Sequence, residues 1–149
     1  MGYTHYWNYK KKSPNFEQEM INVHLDIQTG LKHIDRDKIV LRGGDGTGNP
    51  EFTTESIIFN GDGNVGLDHE TFYFDGEPTD YTFCKTVHKP YDFVVCLCLL
   101  SLCNRLEGFE FSSDGGITEW EPVILFYQKF IGELKPEVIQ DFIKVEENF

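Results

Sequence analysis

At 149 residues the chain has the length of one domain, and 40% hydrophobic, 15% aromatic and 26% charged residues exclude a wholly disordered chain. Twenty-five acidic against 13 basic side chains give a net charge of −12, which repels phosphate backbones and excludes duplex nucleic acid as a general partner. The longest apolar run, Phe93 to Leu100, is far short of a membrane span and no apolar signal region follows Met1, so the expectation is a single domain, residues 1–149, in the cytoplasm without a membrane partner.

Residues 3–9 are aromatic-rich and predict a strand. After the basic turn Lys10-Lys11-Lys12, Ser13 as cap and Pro14 as first helical residue open a helix. Phe16, Met20, Val23, Ile27 and Leu31 follow at steps of four, three, four and four, which predicts an amphipathic helix over about residues 14–29 with Gly30 as its stop. Ile39-Val40-Leu41 predicts a short strand leading into the glycine-rich segment 42–50. Strands at 57–60, 69–74 and 81–87, divided by Gly61-Asp62-Gly63-Asn64 and Asp75-Gly76-Glu77-Pro78, predict an antiparallel meander. From Pro90 a second helix, apolar on nearly every side between Phe93 and Leu102 and closed by Gly108, is the expected buried centre. A strand at 109–111 and helices at about 121–132 and 136–146 complete the chain. The expected class is α+β, a two-layer sandwich of an antiparallel sheet with helices packed mainly on one face.

Of the four cysteines, Cys96, Cys98 and Cys103 lie in the apolar run and, with Cys84, read as core residues rather than a disulfide framework. Cys96 and Cys98, two apart on a helix, point in different directions and make a poor metal pair. Ligation by His5, His69, Asp92 or Asp114 has no short spacing to support it, so no metal and no cofactor are expected. Cys84 beside Lys85 reads as an inert core thiol, because adjacent strand residues face opposite ways.

Period-two alternation puts Tyr3, His5 and Trp7 on one side of their strand, His69, Thr71 and Tyr73 on one side of another, and Tyr81, Phe83 and Lys85 on one side of a third. Sharing one sheet face, they would offer aromatic rings, histidines and a lysine to a planar, anionic ligand. The competing reading makes the aromatics core and the histidines satisfied by neighbouring carbonyls; both stand open. Gly43-Gly44-Asp45-Gly46-Thr47 resembles the nucleotide loop of NAD kinases and diacylglycerol kinases, but Asn49-Pro50 follows where a helix should begin, which favours a hairpin loop. His69-Glu70-Thr71 resembles one half of a two-histidine phosphoesterase, with His5 and His69 as base and acid. The second motif is missing, since His5, His24, His33 and His88 are followed two residues on by Trp7, Asp26, Asp35 and Pro90.

Six further segments carry a resemblance in order along the chain: Met1-Gly-Tyr-Thr-His-Tyr-Trp7, Phe59-Asn60-Gly61, His69-Glu-Thr-Phe72, Phe83-Cys-Lys-Thr86, Lys89-Pro-Tyr-Asp92, and Ser112-Ser-Asp-Gly115 with Trp120. Together they resemble an uncharacterised family of small bacteriophage and bacterial proteins, which supplies no activity to carry over. The resemblance marks His5, Asn60, His69, Lys85, Lys89, Tyr91, Asp92 and Asp114 as distinctive. The chain departs from that pattern at Val87-His88, where a small and a basic residue are expected; this bears on any anion site near His88, because histidine is only partly charged at neutral pH.

The leading expectation is a binding protein for a small polar, anionic ligand, a nucleotide or nucleotide-derived signal, as a phage-type sequestering protein would hold. Its candidate ligand set is Tyr3, His5, Trp7, Asn60, His69, Lys85, Lys89, Tyr91, Asp92 and Asp114, with Tyr3, Trp7 or Tyr91 stacking and Lys85, Lys89 and His69 at the phosphate. The alternatives are a phosphoester hydrolase using His5 and His69, and an acidic inhibitor that occupies a host protein through charge.

Overall fold

The computed structural model describes residues 2–147. The fold is mixed α+β, with helices packed against two three-stranded antiparallel sheets rather than the one expected. Strand β1 (Thr4–Tyr9) is the centre of the first sheet, with β5 (Thr79–Lys85) and β6 (Phe109–Ser113) on its flanks. The second sheet is the short meander β2 (Glu51–Phe52), β3 (Ile57–Phe59) and β4 (Phe72–Phe74). The chain leaves that meander after β4, where the Asp75 carboxylate accepts from the Glu77 N–H and Pro78 has no N–H to offer a ladder. Residues 39–41 form no strand; next to them, Arg42 makes an isolated bridge to Asn60.

Helix α1 (Phe16–Leu31) buries the stripe that the spacing predicts, Phe16, Met20, Val23, Ile27 and Leu31. It starts beyond Pro14, because the Ser13 carbonyl and hydroxyl take the Phe16 and Asn15 N–H groups in a preceding turn. Gly30 lies inside the helix instead of stopping it: a Cβ there would sit 2.6 Å from Leu97 Cδ2, so its absence lets α1 approach α2 (Asp92–Arg105). Helix α2 is buried continuously from Val94 to Leu102, the central position that its composition predicts. Helix α3 (Ile117–Phe130) begins earlier than expected, with the Glu119 carboxylate accepting from the Gly116 N–H, and it carries Pro122 within its length. Helix α4 is Pro136–Glu147. Among the described residues no helix is long and apolar enough to cross a membrane.

The register corrects the proposed aromatic face. His5 stands opposite Cys84 and Trp7 opposite Thr82, and opposed residues share a side of a sheet. Tyr3, His5, Trp7 and Tyr9 therefore turn inward, where Trp7 meets Phe72 and Tyr9 meets Phe74. Tyr81, Phe83 and Lys85 lie on the other side with Thr4 and Tyr6. His69 and Thr71 precede β4 instead of forming part of it, in the other sheet's connection. Alternation within each strand is sound; the pairing between strands is what joins or separates the faces.

Candidate functional site

Where β1 crosses the start of α2, the core turns polar. His5 is fully buried, and its two ring nitrogens are both engaged: Nδ1 lies 2.7 Å from Ser113 Oγ and Nε2 lies 2.6 Å from Asp92 Oδ1. Each partner arrives by ordinary local structure. Ser113 pairs directly with His5 in the β1–β6 ladder. Asp92 is the first residue of α2, and Cys96 follows one turn later on the same face. The Thr86 hydroxyl donates to Asp92 Oδ1 at 2.6 Å, while Cys96 Sγ lies 3.6 Å from both Asp92 Oδ2 and His5 Nε2. The nitrogen, sulfur and carboxylate donors of His5, Cys96 and Asp92 all lie within 4.8 Å of one another, a set able to hold a metal ion.

Aromatic rings wall the cluster. Tyr3 and Trp120 stand edge-on to His5 at 5.0 and 5.4 Å, and the buried Trp120 Nε1 has no hydrogen-bond partner among the described residues. Gly115 lies against Tyr3 so closely that any Cβ would overlap the tyrosine hydroxyl. Electrostatically the cluster is one-sided. Burial alone would push the Asp92 carboxyl up, but bonds from His5, Thr86 and Cys96 reverse that, and it is held below the usual carboxylate range. The Cys96 thiol goes the other way, driven well up by burial and then by the Asp92 charge. Among the described residues no lysine or arginine pairs with Asp92.

A cavity of about 230 Å³ opens above this cluster, lined by His88, Lys89, Asp92, Phe93, Cys96 and Glu119. Its lip is conformationally unusual. Val87 and His88 have φ of 46° and 60°, the left-handed region that a β-branched residue avoids. Hydrogen bonds hold them there: the Thr86 and Val87 N–H groups donate to the Tyr3 carbonyl, and the Lys89 N–H donates to the Thr86 carbonyl. The His88 ring stacks on Tyr3 at 3.7 Å. A larger open trough of about 920 Å³ runs between the start of α1 and Thr54–Glu55, but no histidine or cysteine lines it.

The structure brings Tyr3, His5, Asp92 and Lys89 of the candidate set to this place. Other members hold the backbone together. Asn60 donates to the Gly44 and His69 carbonyls and accepts from the Gly61 and His69 N–H groups, which uses its whole amide. The Tyr91 hydroxyl donates to the Glu70 carbonyl at 2.6 Å, and Asp114 accepts from the Thr4 N–H and the Tyr6 hydroxyl. Lys89 lines the cavity, and its Nζ donates to the Gly66 carbonyl at 3.0 Å. Trp7 is core, His69 is exposed in its loop, and the Lys85 stem lies beside Gly2 on the far side of the sheet from His5. Sequence reasoning missed Ser113, Thr86 and Cys96. The Asp92–Cys96 spacing of one helical turn was the available signal, hidden by comparing Cys96 with Cys98.

Compared with protein-family models, curated proteins and solved structures, the chain has no match.

Proposed function

We propose that the chain binds a small polar ligand in the cavity over Asp92 and Cys96, with the ligand's anionic group directed at Lys89 and His88. The observation that carries this reading is the Val87–His88 pair, held at positive φ on the lip of a cavity with a polar floor. Backbone strain of this kind costs about 1–3 kcal/mol per residue and collects at ligand clamps, where the surroundings enforce it. The volume supports a phosphate-sized or sugar-sized group rather than an enclosed nucleotide, since sites for drug-sized ligands run about 300–1,000 Å³. A phosphorylated metabolite or nucleotide would enter phosphate first and keep its larger part outside, beside the flat His88–Tyr3 stack.

The paired-histidine hydrolase lacks a comparable observation: both His5 nitrogens are engaged, and His69 lies in an exposed loop outside the cluster. The test is thermal unfolding of the protein with inorganic phosphate, a mononucleotide and a cyclic dinucleotide, each mixture then weighed by mass spectrometry. A ligand at about 100 times its Kd adds about 2.7 kcal/mol, which raises Tm by several degrees. The expected result is such a rise, with the ligand mass unchanged and the rise lost in Lys89→Met. No rise with any of the three would overturn the reading.

A further inference from the structure

We infer that His5, Asp92 and Cys96 are the protein ligands of one divalent transition-metal ion of the zinc class, whose fourth position opens into the cavity. This deepens the ligand reading above and rests on it only for what occupies that fourth position.

The geometry is the first support. A tetrahedral zinc ion, with bonds of about 2.0–2.3 Å, holds its donors about 3.3–3.7 Å apart. Cys96 Sγ already stands 3.6 Å from both His5 Nε2 and Asp92 Oδ2. His5 Nε2 is bound to the other Asp92 oxygen, Oδ1, by a 2.6 Å hydrogen bond, so a metal held by Oδ2 takes the place of that proton and the bond is given up. Asp92 and Cys96 also line the cavity, so a water or ligand oxygen reaches the fourth vertex from there.

The second support lies one shell out. A metal-bound histidine carries a partner on its other nitrogen, and a metal-bound carboxylate is itself hydrogen-bonded. Ser113 Oγ at 2.7 Å from Nδ1 fills the first role, and the Thr86 hydroxyl at 2.6 Å from Asp92 Oδ1 fills the second. Ser113 also accepts from the Gly115 N–H. Its hydroxyl can give a proton to Nδ1 or take one, so the ring can move its own proton from Nε2 to Nδ1 without changing partners.

Charge is the third. A divalent ion, the Asp92 carboxylate and the Cys96 thiolate sum to zero in a place where no lysine or arginine among the described residues pairs with Asp92. Binding breaks the Cys96 S–H bond, forms the metal–sulfur bond and releases that proton to water; no electron changes hands. The combination of thiolate, imidazole and carboxylate selects zinc or cobalt over magnesium and calcium.

The experiment is a cobalt(II) titration of chelator-stripped protein, followed by inorganic phosphate. The expected result is saturation at one ion per chain, with a sulfur-to-cobalt charge-transfer band and the intense visible bands of a tetrahedral site. Cys98→Ser keeps these bands and Cys96→Ser loses the charge-transfer band. X-ray absorption of the zinc-loaded wild-type chain, which needs no variant, should count one sulfur among four donors. A charge-transfer band that survives in Cys96→Ser, a pale octahedral spectrum, or a zinc shell without sulfur would overturn the metal site. Phosphate separates the two readings. A band that forms while phosphate, the mononucleotide and the cyclic dinucleotide all leave it and Tm unmoved keeps the metal standing and removes the ligand reading. A phosphate-dependent Tm with no cobalt band does the reverse.

Discussion

Asp26 and Asp92 both sit among packed helices, and their surroundings answer their charge in opposite ways. Asp26, on α1, receives the Ser101 hydroxyl at 2.8 Å, the Tyr127 hydroxyl at 2.7 Å and a two-pronged Arg105 guanidinium at 2.9 and 3.0 Å. Asn104 extends this network to Tyr127, to the Glu133 carbonyl and to the Lys135 N–H, so it ties α1, α2, α3 and the segment leading to α4. Charge is matched by charge, and neither Asp26 nor Arg105 lines the cavity over Asp92 or the trough beside α1. Asp92 has neutral hydroxyl and thiol donors, an imidazole, a cavity at its side and a strained loop above. A closed, balanced network is how a fold uses a buried carboxylate as a brace. An open, unbalanced one leaves room for a cation that the chain does not itself supply.

The largest effect that separates the two should come from removing each carboxylate. Asp26→Ala strands Arg105 and two further donors, the Ser101 and Tyr127 hydroxyls, and breaking such a pair costs about 3–5 kcal/mol. The Arg105 side chain is 36% exposed and can turn toward water, which places the expected loss near the lower end, about 3 kcal/mol. Asp92→Ala in metal-free protein removes hydrogen bonds but no ion pair to lysine or arginine, for an expected loss of about 1–2 kcal/mol. Urea denaturation of both variants measures the gap, and equal losses would break the comparison.

Gly115→Ala should cost about 1–3 kcal/mol, because its methyl must displace Tyr3 from its place beside His5. The same variant should also blunt the cobalt spectrum, whereas a change of similar size at the Asp26 network should not.

Tyr127→Phe sharpens the contrast by pH. Burial and then the bond to Asp26 push the Tyr127 phenol up to about 12 from an ordinary 10.0. A group with a raised folded-state pKa contributes stability that is complete below its unfolded value and is lost as pH rises through the folded one. Wild-type stability should therefore fall between pH 10 and 12 more steeply than that of Tyr127→Phe, when urea midpoints are compared at each pH. Parallel curves would deny Tyr127 that role.

The smallest effect belongs to Val87→Gly. Glycine accepts the φ of 46° without strain, and that relief offsets the greater freedom it gives the unfolded chain. Stability should change by less than about 1 kcal/mol while the phosphate response weakens, because the lip is no longer held in one shape. A loss comparable to that of a core valine would show that Val87 acts through packing instead.

The contrast also explains what could be read from the chain alone. The α1 stripe and the enclosed α2 were legible because helical periodicity is written in neighbouring residues, and the α+β class followed from them. The division into two sheets was not, because β5 finds β1 across about half of the chain and no local pattern records the choice. Of the candidate set, Tyr3, His5, Asp92 and Lys89 lie about one place; Trp7 shares the side of His5 but is packed in the core, and Lys85 was joined to that side by a register that does not exist. Ser113 and Thr86 sat inside the segments that carried the family resemblance, but a hydroxyl has no spacing rule that marks it as a histidine's or carboxylate's partner. Asn60, Tyr91 and Asp114 serve the backbone instead: each satisfies main-chain groups that a short, irregular fold would otherwise leave unpaired.

The central place of β1 in its sheet bears on how the protein is made. Its ladder partners are residues 79–85 on one side and 109–113 on the other, so a ribosome must release the chain past residue 113 before β1 can pair on both sides. Before residues 79–85 emerge Trp7 and Tyr9 have no sheet to join, and before residue 113 emerges His5 lacks Ser113. A nascent product cut short before Ser113 therefore carries His5, Asp92 and Cys96 in its sequence without the β1–β6 ladder that brings Ser113 to His5.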